Sequence, residues 1–254
     1  MQEFKALANR LADEAGEIIR KYYRQPFDIE AKADETPVTI ADRAVETRLR
    51  EILEHERPQD GILGEEFGTK ESMNGLTWVL DPIDGTKPFI IGRPTFGTLI
   101  ALCEDEMPVL GVIDQPIMKE RWLGVKNETT TLNGAPCHTR PCPSLAKAIC
   151  ASTSPGMFFD HPNPHFIRKW KESVNFVVWG GDCYSYGLLS NGTIDLIIEA
   201  DMQPYDFAAL APIVQGAGGH MCDWNGAPLT LKSDGRIIAL GNKALLDEVK
   251  ALLE

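Results

Sequence analysis

The chain is 254 residues long, 43% hydrophobic and 24% charged, and its 37 Asp and Glu against 25 Lys and Arg leave a net charge of −12. That composition is expected of a compact soluble protein, and no apolar run approaches the roughly 20 residues that cross a bilayer, so neither disorder nor a membrane span is expected. The acid excess argues against nonspecific binding to nucleic acid or an anionic membrane, where Lys and Arg replace counterions.

The length allows one large domain or two of ordinary size. At the N-terminus Phe4, Leu7, Leu11, Ala15, Ile18, Ile19 and Tyr22 recur at helical spacing, which predicts a folded helix and not a signal peptide. A second helix is predicted over 40–54, with Val45, Leu49, Ile52 and Leu53 on one face and Pro58 ending it. After Trp78-Val79-Leu80 the texture changes to short strands at 98–102, 109–113 and 121–125, with Pro108 and Pro116 read as the turn formers between them. Dense turn chemistry at 132–136, followed by a linker-like stretch at 139–143, predicts a division into an N-terminal α+β half, 1–135, and a C-terminal α/β half, 136–254. In the second half, strands at 148–151, 175–178, 195–199 and 237–240 alternate with helices at 165–172, 184–190, 206–215 and 242–253. The stretch 153–164 lacks a core period and fits a substrate lid, a subunit contact or a plain loop equally. Six cysteines without a C-x-x-C pair read as reduced thiols of a cytosolic compartment, and five histidines without paired spacing argue against zinc.

Chemistry concentrates in Trp78-Val79-Leu80-Asp81-Pro82-Ile83-Asp84-Gly85-Thr86. A buried strand ending in Asp81 presents a carboxylate at its edge, and Pro82 stiffens the exit so that Asp84 returns to the same point. Gly85 and Thr86 then offer backbone N–H groups to an anion, since glycine has no Cβ in the way. Carboxylates beside an anion cradle repel phosphate unless cations lie between them, and an all-oxygen ligand set favours Mg²⁺ or Mn²⁺ over zinc. Taken alone, the same string is as readily a simple turn. Likewise Gly64-Glu65-Glu66-Phe67-Gly68 reads alone as a surface loop, Thr39-Ile40-Ala41-Asp42 as a helix capping box, and Asp206 as an N-cap, a ligand or both.

Together these segments resemble the inositol monophosphatase-like family of metal-dependent phosphomonoesterases. The resemblance covers nearly the whole chain in the family's order: Pro37-Val38-Thr39 through Asp42, Gly64-Glu65-Glu66, Trp78 to Thr86, Leu132-Asn133-Gly134, and Tyr205-Asp206-Phe207-Ala208-Ala209 leading into Gly216-Ala217-Gly218-Gly219. It implies a layered αβαβα sandwich with the site at the junction of the two halves, and a homodimer. It also implies that Glu65, Asp81, Asp84, Asp206 and the Ile83 carbonyl hold two or three Mg²⁺ ions, with Mn²⁺ as a substitute. Thr86, oriented by Asp42, would help activate the attacking water, and Glu66 would support the ligands from behind. Metals that draw charge from phosphate oxygens and acidify bound water allow in-line attack without a covalent intermediate.

The departures bear on the substrate, a small phosphate ester. Pro88 stands where the family's central motif carries Asn, Tyr205 stands where Trp precedes the last ligand, and Asp182, after Gly180-Gly181, stands where inositol phosphatases carry a small residue. Glu199 matches the family position that touches the leaving group. Two acids, Asp182 and Glu199, beside the Gly181 turn favour a cationic leaving group over a neutral polyol. The pattern resembles the branch that hydrolyses histidinol phosphate, although Asp182 alone is also a plausible helix N-cap. The alternatives are a broad inositol monophosphatase, a fructose-1,6-bisphosphatase, a nucleotide 3′-phosphatase, or a silent metal-binding scaffold. The bisphosphate readings need extra basic residues for the second phosphate, and Lys87, Arg93, Arg121 and Arg140 cannot be assigned to such a site from sequence. A bacterial cytosol and a processed plant plastid protein would look alike.

Overall fold

The computed structural model describes residues 1–25, 29–31 and 37–253, with 29–31 and 37–39 described at the backbone. Helix α1 (Gln2–Tyr22) buries Leu7, Ala8, Leu11, Ala12, Ala15 and Ile19, the stripe expected from its periodicity. A short antiparallel ribbon, β1 (Ile29–Ala31) and β2 (Pro37–Thr39), leads into α2 (Ile40–Glu56), whose Val45, Leu49 and Leu53 are buried beside α1. The Thr39 side chain of the expected capping box lies outside the described residues.

The next strands are β3 (Gly61–Gly64), β4 (Gly68–Lys70) and β5 (Leu76–Asp84), and then, after the short helix α3 (Thr86–Ile90), β6 (Gly97–Glu104), β7 (Met107–Gln115), β8 (Glu120–Val125), β9 (Thr131–Leu132) and β10 (Ala135–Pro136). They form one sheet in the order β10-β9-β8-β7-β6-β5-β3-β4, antiparallel except where β3 lies beside β5. The chain continues through β11 (Ile149–Ser152), α4 (Phe166–Ser173), β12 (Phe176–Trp179), α5 (Asp182–Ser190), β13 (Leu196–Glu199), α6 (Pro204–Phe207), α7 (Leu210–Gly216), β14 (His220–Asp223), β15 (Ile237–Leu240) and α8 (Leu246–Leu253). The second sheet runs β12-β11-β13-β15-β14, its first three strands parallel and its last two joined antiparallel.

Alternation along the strands assigns the layers. Trp78, Leu80, Ile100 and Leu102 face α1 and α2, whereas Val79, Leu99 and Ala101 face a second core shared with α5, α7 and the inner face of the second sheet at Ala151, Ile197 and Ala239. The outer face of that sheet, Cys150, Leu196, Ile198 and Ile238, is covered by Phe166 and Trp170 of α4 and Val249 of α8. Helices, sheet, helices, sheet and helices thus stack as an αβαβα sandwich, and burial of these apolar faces holds the layers together.

Several elements differ from expectation for local reasons. Strand β5 does not end at Asp81: its register shifts between Asp81 and Asp84 and it runs on, with the Pro82 carbonyl accepting a 2.8 Å hydrogen bond from the Thr98 hydroxyl. Pro108 lies inside β7 opposite Cys103, at a register shift, and the reversal is made by Asp105 and Glu106 at φ of 47° and 70°. The single helix expected over 206–215 is two, because Pro212 has no N–H to return to Ala208. Strands β3, β4 and β14 are three or four residues long, too short for periodicity to reveal.

Candidate active site

In a regular strand, residues 81 and 84 point to opposite faces. The irregularity in β5 cancels that alternation, and one carboxylate oxygen from each of Asp81, Asp84 and Asp206 lies within 4.8 Å of the other two. Asp206 arrives from the C-terminal half because α6 packs on β5 and β6. Gly111 permits this approach: a Cβ there would stand 1.9 Å from the Ala209 carbonyl oxygen, so the segment joining α6 to α7 rests directly on β7 backbone. Asp206 is not the N-cap. The cap is Gln203, and Asp206 sits three residues on, its Oδ2 accepting the Gln203 N–H at 2.6 Å in a capping box. Asp84 Oδ2 accepts the Cys183 N–H at 2.6 Å, and the Gly85 amide also acts on this carboxylate.

Glu65 leaves β3 beside Asp81, its N–H donating to the Leu80 carbonyl at 3.2 Å. Its carboxylate is outside the tight group of three, yet its charge raises the pKa of both Asp81 and Asp206. Asp42, 1% exposed in the first turn of α2, also acts on Asp81. The Glu66 carboxylate is drawn 3.7 Å from Arg43. Sequence reasoning missed what shapes this turn: buried Glu46 accepts the N–H groups of Glu66 (2.7 Å) and Phe67 (3.2 Å) and the Nε–H of Arg50 (2.7 Å). A Cβ on Gly64 would fall 2.0 Å from Glu46 Oε1, which explains the glycine. From the sequence, Glu46 and Arg50 look like an ordinary i, i+4 surface pair.

Gly85 is left-handed at φ 83° and caps α3, so Thr86 starts the helix with its hydroxyl donating to the Ile83 carbonyl at 3.2 Å. Across the site, α5 begins at Asp182 with Gly181 as its cap, and no side chain caps it, which corrects the N-cap reading of Asp182. Asp182 itself is left-handed at φ 45°, a region sparsely populated by residues other than glycine, and its Oδ2 is buried with no hydrogen-bond partner among the described residues. Burial first, then the charges of Asp84 and Glu199, push its pKa up to about 8 against the pull of Arg93 and Lys87.

Glu199, 3% exposed, accepts the Thr153 N–H at 2.7 Å on Oε1 and the Tyr186 hydroxyl at 2.9 Å on Oε2. Burial raises its pKa to about 7 in spite of those bonds. Thr153 opens the stretch that had no clear role. Phe158 of that stretch is buried against Phe166, Trp170 and Trp224, while Phe159 is 87% exposed. Neither Tyr186 nor the Thr153 amide carries a local motif. Both reach Glu199 through the tertiary fold.

Burial is the largest cause raising the pKa of Asp81, Asp84 and Asp206, and for Asp81 and Asp206 their acidic neighbours add to it. Asp81 Oδ1 is moreover buried without a hydrogen-bond partner among the described residues. Such a group is stable when a cation supplies the missing charge. All the donors are hard oxygens, and the neighbouring Cys183 thiol is held protonated by burial, so the residues fit a divalent ion of the magnesium type.

The chain belongs to the inositol monophosphatase family, whose model matches residues 1–254. It is therefore a phosphatase of a metal-dependent family that hydrolyses phosphomonoesters. It is 48% identical over 228 residues to the bifunctional phosphatase IMPL2, chloroplastic, of Arabidopsis thaliana, a match covering 89% of this chain and 66%, just under two thirds, of that protein. The histidinol-phosphatase of Mycobacterium tuberculosis is 38% identical over 227 residues, with 87% of each chain covered. Among solved structures, an inositol monophosphatase from Zymomonas mobilis superimposes with a TM-score of 0.91 at 50% identity, covering 99% of this chain and 98% of that one.

Proposed function

We propose that this phosphatase hydrolyses L-histidinol phosphate to L-histidinol and phosphate, as a step of histidine biosynthesis. The observation that carries the reading is Asp182: a half-buried carboxylate in a strained backbone conformation, one oxygen of which is buried with no hydrogen-bond partner among the described residues, within electrostatic reach of both Asp84 and Glu199. An ammonium or imidazolium on the leaving alcohol would supply the missing partner and hold the carboxylate ionised, whereas a neutral polyol would give it no counter-charge. The Mycobacterium relative, whose name is histidinol-phosphatase, supports this choice.

Asp81, Asp84, Asp206, Glu65 and the Ile83 carbonyl would hold two or three Mg²⁺ ions, or Mn²⁺ in their place. Bound there, the ions supply positive charge for the phosphate oxygens and acidity for a nearby water. The Thr86 hydroxyl orients that water by accepting its hydrogen bond. To pass its own proton toward Asp42, it turns away from the Ile83 carbonyl to which it now donates. Cys183 and Gln203 N–H groups fix the Asp84 and Asp206 carboxylates, so little reorganisation is needed when substrate arrives. Gly85, Thr86 and Gly181 allow close backbone approach to the ester, and Asp182 and Glu199 take the cationic tail.

A second reading, inositol monophosphate hydrolysis, is favoured by the 50% identity to the Zymomonas protein and by the bifunctional name of the Arabidopsis relative. The substitution Asp182→Ala separates the two. It should lower kcat/KM for histidinol phosphate on the order of 10²-fold while leaving an aryl phosphate within a few-fold, because only the former has a cationic tail to lose its partner. Equal losses on both esters would contradict the assignment. The six free thiols are in keeping with a reducing compartment, cytosol or plastid stroma, and no described helix is long and apolar enough to cross a membrane. Light scattering should give twice the 28.1 kDa chain mass if the protein is the homodimer that the family resemblance implies.

A further inference from the structure

The site described above gathers carboxylates in a protein of net charge −12, yet its substrate is an anion. Divalent ions held by those carboxylates would meet the phosphate inside the site, but the approach to it crosses a strongly acidic protein, whose repulsion slows capture unless some positive charge faces the approach. Of the four cations weighed on sequence grounds, two are committed elsewhere. Arg121 pairs with Asp114 at 2.6 Å and Asp13 at 2.8 Å, and Arg140 pairs with Asp195 at 2.7 Å. The other two, Lys87 and Arg93, are exposed, make no side-chain hydrogen bond or ion pair among the described residues, and both act electrostatically on Asp182.

The backbone that carries them is firmly held. Ile91 N–H donates to the Lys87 carbonyl at 3.2 Å, Gly92 N–H to Phe89 at 3.0 Å and Arg93 N–H to Pro88 at 2.8 Å. From the end of α1, the Tyr23 hydroxyl (2.7 Å) and Arg24 Nε and Nη2 (3.0 and 2.7 Å) all donate to the Gly92 carbonyl. So anchored, Arg93 reaches across to the C-terminal half, where its Nη1 stands 3.1 Å from the place a Cβ on Gly180 would occupy. Gly180 and Gly181 lead directly into Asp182. Arg93 therefore spans from the segment after α3 to the Gly180 turn at the edge of the carboxylate site, with no ion pair among the described residues.

We propose that Lys87 and Arg93 form a cationic rim, carried on a firmly held backbone, that draws the phosphate dianion of the substrate across an otherwise acidic protein toward the site, setting the rate of capture and not the rate of hydrolysis. The proposal rests on phosphate monoester hydrolysis at this site but not on which alcohol leaves. Attraction of this kind acts over about a Debye length, roughly 10 Å at 0.1 M salt, so it is screened by added electrolyte. It fixes no atom in the transition state, so kcat is unaffected.

The test compares wild type, the double variant K87M/R93M and the charge-conserving R93K on p-nitrophenyl phosphate, at constant Mg²⁺ and increasing KCl. The double variant should lose about tenfold in kcat/KM at low ionic strength, keep kcat within twofold, and show a flatter salt dependence, while R93K retains most of the wild-type value. Calorimetric titration of the Mg²⁺-loaded protein with inorganic phosphate should show the same weakened, salt-insensitive binding. That titration needs no turnover, so it separates failure of the rim from failure of the substrate reading. Unchanged phosphate affinity in the double variant, a loss that is the same at every salt concentration, or a fall in kcat would each overturn the proposal; a purely structural staple at Gly180 would lower thermal stability and leave the salt slope intact.

Discussion

Asp81 is the residue on which the site turns, because it is 2% exposed, carries an unpartnered oxygen, and feels the charges of Glu65, Asp84, Asp206 and Asp42 together. Asp81→Asn should reduce phosphatase activity on the order of 10³-fold, since an amide would not balance the charge of a divalent ion; steady-state assay at saturating Mg²⁺ measures this. Glu46 acts one step further out. Replacing it by Gln removes acceptor strength from the N–H groups of Glu66 and Phe67, so Glu65 loses its fixed place and Mg²⁺ affinity should fall about 10- to 100-fold, read as a shift in the Mg²⁺ activation curve. The two residues differ in how far the sequence reveals them. Asp81 stands in a string whose spacing of acids, proline and glycine is unusual, so its proximity to Asp84 was legible. Glu46 sits on a helix with a basic residue four positions on, and nothing in that spacing distinguishes a buried acceptor from a solvated one.

The strand β5 and the pair α6 and α7 show what periodicity leaves out. A regular β5 would have sent Asp81 and Asp84 to opposite faces, and only the tertiary pairing with β6 shows that the register slips between them. The approach of α7 rests on Gly111, so Gly111→Val should destabilise the fold by about 3 kcal/mol or more, read by denaturant unfolding, because the displaced element is backbone and cannot yield as a side chain could. At the end of α2, Asp60 ties the helix to β5. Burial pushes its carboxyl up, but hydrogen bonds from Arg57, Asn74 and the indole of Trp78 outweigh that and leave the pKa below the ordinary carboxylate value. Its contribution is therefore complete above the unfolded pKa of about 4 and is lost as pH falls through the lower folded value. Asp60→Ala should cost about 1 to 3 kcal/mol at neutral pH through the stranded Trp78 N–H, and should flatten the loss of stability below pH 4, measured by unfolding across that range.

At the scale of the whole molecule, the layers follow from apolar alternation that the sequence displays in its longer strands and helices, and the family resemblance covers the rest. What it does not display is depth: that Glu199 is held by Tyr186 and Thr153, or that Arg93 reaches the Gly180 turn, depends on contacts between segments about 13 to 90 residues apart. The carboxylates that crowd the site oppose folding until they are neutralised, so Mg²⁺ at 100 times its Kd should stabilise the protein by about 2.7 kcal/mol at pH 7, and chelator should reverse the shift in Tm. Histidinol phosphate and inositol 1-phosphate put the central claim to its most direct test, as the ratio of their kcat/KM values on the Mg²⁺-loaded wild-type enzyme. The pairing of a cationic tail with Asp182 and Glu199 predicts a ratio well above one in favour of histidinol phosphate, and a preference for inositol 1-phosphate would contradict it.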